Sequence, residues 1–290
     1  MIVLQDSPAY EAALKGKKEI QMSDKTQTPE EELLFEVADG IGIITLNRPH
    51  RRNALTFAMY DRIKEICMRA GGSDDTDELR VLIFKGGGDA AFAAGTDISQ
   101  FKSFSRPEDA INYEAMIEAV LQGIEQCKIP TIAALNGFVT GGGAAIAAAC
   151  SIRIGSRSIK LGVPIAKTLG NCLAIANLRR FVQLVGPART AHILLTSQLI
   201  DAEAALQAGF ITELHEDQET VESRAEALAR SMAEAAPLTL KATLMGLRRL
   251  QEATPLPDDH DLIQMCFGSA DFKEGVTAFF EKRPANWQGK

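Results

Sequence analysis

The chain is short of positive charge, of paired cysteines and of long uninterrupted apolar runs, and each shortage removes a class of function. Lys and Arg number 31 against 38 Asp and Glu, a formal net charge of −7. There is no basic surplus to track a phosphate backbone, so no nucleic acid partner is expected. The five cysteines, Cys67, Cys127, Cys150, Cys172 and Cys266, form no CxxC pair and are odd in number. That pattern fits a reducing compartment, the cytoplasm, better than a disulfide framework. His50, His192, His215 and His260 show no paired spacing, and Asp258, Asp259 and Asp261 follow Pro255 and Pro257 as an acidic loop would. No metal is expected. The first residues, MIVLQDSPAYEAALKGKKEIQ, hold an apolar run too short for a secretory signal and charges that do not suit a transit peptide, so no targeting segment is expected either.

One window, between Lys128 and Arg153, carries no charge at all. Its centre holds Pro130, Asn136, Gly137 and three consecutive glycines, and its apolar residues are mainly alanine. As a membrane span it would be broken and poorly hydrophobic. It reads as buried core, and no membrane partner is expected.

What is present points to a globular chain: 290 residues, 46% apolar and 24% charged, are enough for one large domain or two small ones. Residues 1–30 are polar without a period and read as a flexible extension, with Met22 an alternative start. LLFEVADGIGIITLNRP predicts a hairpin about Asp39-Gly40. Apolar residues at three and four spacing from Leu55 to Met68, with Gly71 as a stop, predict a helix. RVLIFKGG reads as a buried strand, Pro107 to Cys127 as a helix, TIAALNGFV as one strand leading into an alanine-rich helix, and SIRIGSRSIKLGVP as two short strands. The remainder is helical, including one long helix across ESRAEALARSMAEAAPLTLKATLMGLRRLQEA. Strands alternating with helices give an α/β class.

The glycines of VTGGGAAIAAAC raise the functional question. A strand that ends in glycines and opens a helix presents unshielded N–H groups backed by the positive end of the helix dipole, and so favours negative charge. A Walker loop needs Gly-Lys-Ser/Thr, and Ala144 and Ala145 follow instead. A dinucleotide fingerprint needs a third glycine where Ile146 stands. The remaining use is an oxyanion hole, which draws on two amides. A second glycine-punctuated turn, AFAAGTD, lies upstream after RVLIFKGGGDA. Either turn alone is ordinary punctuation.

Together, AFAAGTDI (91–98), IPTIAALNGFVTGGGAAIAAACSIRI (129–154), ITLNRPHRRNAL (44–55) and GPARTAHILLTSQLIDAEAALQAGFI (186–211) resemble, in the same order, the enoyl-CoA hydratase/isomerase, or crotonase, superfamily. The resemblance covers roughly residues 33–285. It implies a spiral of ββα units over 31–220, a helical trimerisation region over 221–290, and assembly as a homotrimer or dimer of trimers. It also implies an acyl-CoA thioester as substrate, with coenzyme A carried in by that substrate and no separate cofactor. By position, the N–H groups of Thr96 and Gly142 would hold the thioester oxygen as an enolate forms. Thr96 stands where the family usually has alanine, which a main-chain donor tolerates. Asp97, Ile98 and Ser99 would line the loop that binds coenzyme A, and Ala94, Gly141, Ala145, Ile165 and Cys172 would complete the substrate-binding site. Arg51 or Arg52 and Lys282 would lie near its phosphates.

The resemblance breaks at the acid–base residues. The family's hydratases use two glutamates, and the matching positions here are Ala145 and Ile165. Each acid–base group supplies roughly 10² to 10⁴ in rate, whereas one oxyanion donor contributes about 2.7 to 4 kcal/mol. Anion stabilisation would survive, and conventional hydration is left open. AKTLGNCLAIANL (166–178) is where some members with other chemistry carry a catalytic side chain, which draws attention to Asn171 and Cys172. Cys172 would be a nucleophile only beside a base; as a lone cysteine in an apolar helix it reads as packing. Glu114 and Glu118, at i, i+4 spacing, could reach the pocket or form a solvated helix face, and the face is the simpler reading. Three functions stay open: an enolate-stabilising enzyme, nominally an enoyl-CoA hydratase or isomerase and otherwise a hydrolase or decarboxylase, a non-catalytic acyl-CoA binder, and a dinucleotide-dependent oxidoreductase.

Overall fold

The computed structural model of the chain describes residues 29–72, 78–104, 106–252, 255 and 260–289. The extension expected over 1–30, apart from its last two residues, lies outside the described residues. So do Asp258 and Asp259. A short helix, α1 (Pro29–Glu32), leads into the antiparallel pair β1 (Leu33–Ala38) and β2 (Ile41–Leu46). Asp39 (φ 51) and Gly40 (φ 74) are both left-handed, as the expected two-residue hairpin turn requires. Helix α2 (Phe57–Arg69) is capped by Thr56, whose hydroxyl accepts from the Met59 amide, and buries Met59, Tyr60, Ile63, Ile66 and Cys67 at the predicted spacing.

From there the chain winds in repeated turns, each adding a strand to a large sheet, a strand to a small sheet and a helix. The first turn is β3 (Val81–Gly86), β4 (Ala91–Ala93) and α3 (Pro107–Glu125), with a 3₁₀ segment over Ile98–Ser103 before the helix. The second is β5 (Thr131–Leu135), β6 (Phe138–Thr140) and α4 (Gly142–Ala149). The third is β7 (Ile152–Ser156) and β8 (Lys160–Gly162), followed by α5 (Ile165–Thr168) and α6 (Ile175–Thr196). The strand β9 (Ile200–Asp201), α7 (Ala202–Gln207) and β10 (Glu213–His215) complete both sheets. The large sheet runs β1-β2-β3-β5-β7-β10 and the small one β4-β6-β8-β9. This is the expected α/β spiral of ββα units.

Two elements differ from expectation. TIAALNGFV is two strands in different sheets, because Gly137 (φ 53) turns the chain where Ala90 leaves no room for a side chain. The charge-free window is thus two strands and an eight-residue helix, and no helix among the described residues is long and apolar enough to cross a membrane. The long C-terminal helix is broken: α8 (Gln218–Ala233) stops before Pro237, which opens α9 (Pro237–Gln251). The two helices expected on either side of Gly186 are both present, joined end to end as α6 across non-helical backbone at that residue (φ 78, ψ 161).

Helix α8 covers one face of the large sheet, setting Val221, Ala225 and Ala229 against Ile41, Val81, Ile83, Ile132 and Ile154. The other face packs on α2, α3 and α4 in the main core. Two last helices, α10 (His260–Phe267) and α11 (Ala270–Glu281), close over the 3₁₀ segment through Phe101, Ile263, Phe267 and Phe272.

Glu118 is not on a solvated face. Arg180 of α6, its side chain 3% exposed, grips Glu118 at 2.6 Å and Glu125 at 2.7 Å, clamping α6 to α3. Substituting Arg180→Met strands both carboxylates, and we expect a loss of about 3 kcal/mol in urea denaturation. Adding Glu118→Gln and Glu125→Gln should recover most of it. An Arg180→Met variant as stable as the parent would show that the clamp carries no stability.

Candidate active site

Strands β4 and β6 are parallel neighbours, so the turns that follow them start side by side. The first turn contains Gly95 (φ 108) and Thr96, the second Gly141 (φ 52) and Gly142. A Cβ on Gly141 would stand 3.4 Å from the Gly95 Cα, and one on Gly95 would stand 3.9 Å from the Gly142 nitrogen. The triplet therefore has three separate causes. Gly141 takes a left-handed turn that side chains rarely adopt. A Cβ on Gly142 would collide with the Tyr60 hydroxyl, and one on Gly143 with the Ala93 carbonyl, where α4 lies directly on β4.

Among the described residues the amides of Thr96 and Gly142 meet no acceptor. Gly142 is the first residue of α4, where the N–H has no intrahelical partner. Ala94, Thr96, Gly141 and Gly142 are partly exposed, while Gly143 to Cys150 are buried. The two amides thus belong to partly exposed turns that are backed by a buried helix.

A set of ties holds the first turn in place. The Leu55 amide donates to the Gly95 carbonyl and the Asp97 amide to the Leu55 carbonyl, both at 2.8 Å. Arg48 donates through Nη1 to the Ala54 carbonyl (2.6 Å) and to Asp97 Oδ2 (2.9 Å). Its Nε stands 3.0 Å from Glu32 Oε1 without hydrogen-bond alignment. Asn53, fully buried and left-handed, donates to the Gly87 and Ala91 carbonyls and accepts from the Arg48 amide. Sequence reasoning missed Arg48 and Asn53, although both stand in the RPHRRNAL run.

The expected site residues are distributed unevenly around these turns. The Asp97 carboxylate is engaged by Arg48 and by the Ser99 amide (3.0 Å). Burial opposes its ionisation, but the hydrogen bonds from Ser99 and Arg48 outweigh that and hold it below the usual aspartate range. Ile98 and Ser99 open the 3₁₀ segment, Ile98 against the aromatic cluster and Ser99 in solvent. Arg51 and Arg52 are exposed, with Arg52 lying over the Phe138 ring at 4.8 Å. Lys282 is the left-handed cap of α11. Ala145 is buried inside α4, and Ile165 is half-buried at the start of α5. Neither position offers a polar group. Cys172 is not in a helix. It lies in the irregular stretch before α6, half-buried, with its Sγ 3.6 Å from the Leu262 carbonyl. Beside it the Asn171 Oδ1 is buried without a hydrogen-bond partner among the described residues.

The second group missed from sequence is a chain of hydroxyls. Tyr60 of α2 lies 2.9 Å from Thr96 Oγ1, and Tyr113 of α3 lies 2.8 Å from the same atom. Glu114, expected on a solvated face, is only 6% exposed. Burial pushes the Tyr60 phenol well up, opposed by the Thr96 hydrogen bond and reinforced by the Glu114 charge. The Tyr113 phenol is raised by burial and by Tyr60 and Glu114. Both remain neutral donors. The available signal was the rarity of tyrosine, three in the chain, since a phenol placed on the inner face of a helix needs a polar partner.

The sequence model of the family described as Enoyl-CoA hydratase/isomerase matches residues 36–290. A short-chain-enoyl-CoA hydratase of Clostridium acetobutylicum is 31% identical over 254 residues, covering 87% of this chain and 95% of the relative. Among solved structures, an enoyl-CoA hydratase/carnithine racemase from Magnetospirillum magneticum superimposes with TM-score 0.71 at 30% identity, covering 89% of this chain and 96% of that one. A methylmalonyl-CoA decarboxylase in complex with 2-nitronate-propionyl-CoA has TM-score 0.79 at 24% identity, covering 89% and 99% respectively, a likeness of fold alone.

The crowding at Gly142 is directly measurable. Gly142→Ala should destabilise the protein by about 1–3 kcal/mol, the usual range for an overpacked site, and Tyr60→Phe in the same background should restore part of that loss. Strict additivity of the two substitutions in thermal melts would show that the phenol does not stand against this glycine.

Proposed function

Because the chain belongs to the enoyl-CoA hydratase/isomerase family, we propose that it binds an acyl-CoA thioester and stabilises the derived enolate between the N–H groups of Thr96 and Gly142. The observation that carries this reading is the juxtaposition of the two glycine turns, both partly exposed and with both amides free of acceptors among the described residues. Two fixed dipoles of that kind, backed by a helix start, favour an oxygen whose charge grows during reaction. Coenzyme A enters as part of the substrate, and no separate cofactor takes part. Ala94, Ile98, Ser99 and Gly141 border the acyl-thioester path, Arg51 or Arg52 and Lys282 face the phosphates, and Asp97 acts through the loop it ties to Arg48.

Hydration by a pair of glutamates does not fit, since positions 145 and 165 are hydrocarbon. Isomerisation, hydrolysis or decarboxylation needs the same anion site with other acid–base groups. The same two positions favour a second reading, a non-catalytic acyl-CoA binder. Assembly as a trimer or dimer of trimers, through the helices of 221–290, is supported by α9. It has no buried residue and exposes Leu238 (77%), Leu247 (55%) and Leu250 (76%). Five free cysteines agree with a reducing cytoplasm.

The test is turnover of crotonyl-CoA and a panel of saturated, unsaturated and malonyl-type thioesters, alongside calorimetric binding of coenzyme A. Turnover within the panel is expected. Binding without turnover would leave the second reading. Comparing Gly142→Pro with Gly142→Ala isolates the amide, because both add the crowding Cβ and only proline removes the N–H. We expect kcat/KM of the proline variant to fall at least about 100-fold below that of the alanine variant, and Cys172→Ser to change it little. An inactive but folded Cys172→Ser variant would move the chemistry to Cys172.

A further inference from the structure

We propose that Tyr113 is a third hydrogen-bond donor to the ligand oxygen, its hydroxyl proton freed for that bond by the chain Tyr60–Thr96–Tyr113. The inference rests on the reading of the Thr96 and Gly142 amides as an anion site, and supplies a side chain to what is otherwise a main-chain device.

The argument is a count of protons. Three hydroxyls carry three protons, and two hydrogen bonds, 2.9 Å and 2.8 Å long, join them. One O–H is left over. It does not belong to Tyr60, which is fully buried and whose hydroxyl has Thr96 as its one hydrogen-bond partner among the described residues. Aiming the Tyr60 proton elsewhere would leave a buried donor unpaired, at a cost of about 1–3 kcal/mol. The Tyr60 proton therefore goes to Thr96 Oγ1, Thr96 donates onward to Tyr113, and the surplus proton is on Tyr113. The alternative, with both phenols donating to Thr96, breaks the head-to-tail run in which each O–H polarises the next. It also leaves the outward bond to an aliphatic hydroxyl in place of the more acidic phenol.

Position agrees with the count. Tyr113 is half-buried, whereas Tyr60 is sealed. Its hydroxyl reaches the side chain of Thr96, the residue whose amide is free of an acceptor among the described residues. Its ring is wedged by Phe101 (5.0 Å, edge-on), Phe57 and Phe104 (both 5.9 Å), so the hydroxyl is held in place before any ligand arrives. Burial and the Glu114 charge keep the phenol protonated. A neutral acid that does not surrender its proton is suited to holding an oxyanion.

The probe is acetoacetyl-CoA, a β-ketothioester whose enolate absorbs in the near ultraviolet where the neutral form does not. Its ionisation while bound is titrated against pH. With the parent protein the midpoint should fall below that of the free probe. Tyr113→Phe should raise it by roughly two pH units, the hundredfold that one oxyanion donor contributes, with coenzyme A affinity unchanged. Thr96→Val, which keeps the amide and removes only the hydroxyl that donates to Tyr113, should raise it by a smaller amount, since the polarising bond is lost and the Tyr113 donor is kept, and Thr96→Ser should retain the parent value. Should Tyr113→Phe fail to fold, the Thr96 pair carries the test. A lowered midpoint in the parent that Tyr113→Phe and Thr96→Val leave in place overturns this inference while the two-amide reading stands. A parent midpoint equal to that of the free probe overturns both.

Discussion

The parallel pairing of two three-residue strands, β4 and β6, governs the rest of the molecule's polar architecture. Parallel neighbours end at the same edge, so whatever follows each strand is delivered to a common place. Here both are followed by glycine turns, and the spiral spends much of its length arranging that meeting. Each large-sheet strand hands the chain to a small-sheet strand, and each helix returns it one position along. The close contact of Gly143 with the Ala93 carbonyl locks the second helix onto the first strand. The ties from Arg48, Asn53 and Leu55 then fix the first turn from the other side.

Around that meeting point charge is handled sparingly. Arg48 is shared between Glu32 and Asp97 in the scaffold, and Glu114 is buried. The groups left at the two turns are neutral dipoles: amides of the main chain and the hydroxyls gathered on Thr96. The heavier ion pairing, Arg180 with Glu118 and Glu125, is kept away at the junction of α3 and α6, where it holds helices together. This separation lets polar groups at the turns remain fixed and uncharged, the condition under which the proposed enolate would form with little reorganisation.

Much of this was readable from residue order. The Asp39-Gly40 turn, the capped helix after Thr56 and the unbroken apolar run of β3 are local signals, decided within a few residues. The two glycine turns were legible for the same reason, because left-handed backbone and close approach both demand glycine. What escaped was decided across the chain. Whether TIAALNGFV is one strand or two depends on Ala90, which lies 47 positions before Gly137 and blocks a side chain there. Glu114 looked solvated because its helix spacing alone does not reveal which side of α3 the rest of the chain covers. Tyr60 and Tyr113 come from different helices and meet only at Thr96, a residue whose side chain seemed irrelevant once its amide was singled out. Cys172 looked helical in an apolar run, and the run proved to be irregular up to Ile175.

The amides at Thr96 and Gly142 are parts of the backbone, present whatever codon occupies those positions, proline excepted. Ordinary drift cannot delete them, and can only crowd or uncover them through neighbours such as Tyr60. A lineage built on this scaffold can therefore exchange the side chains around these turns while inheriting the same pair of dipoles unaltered.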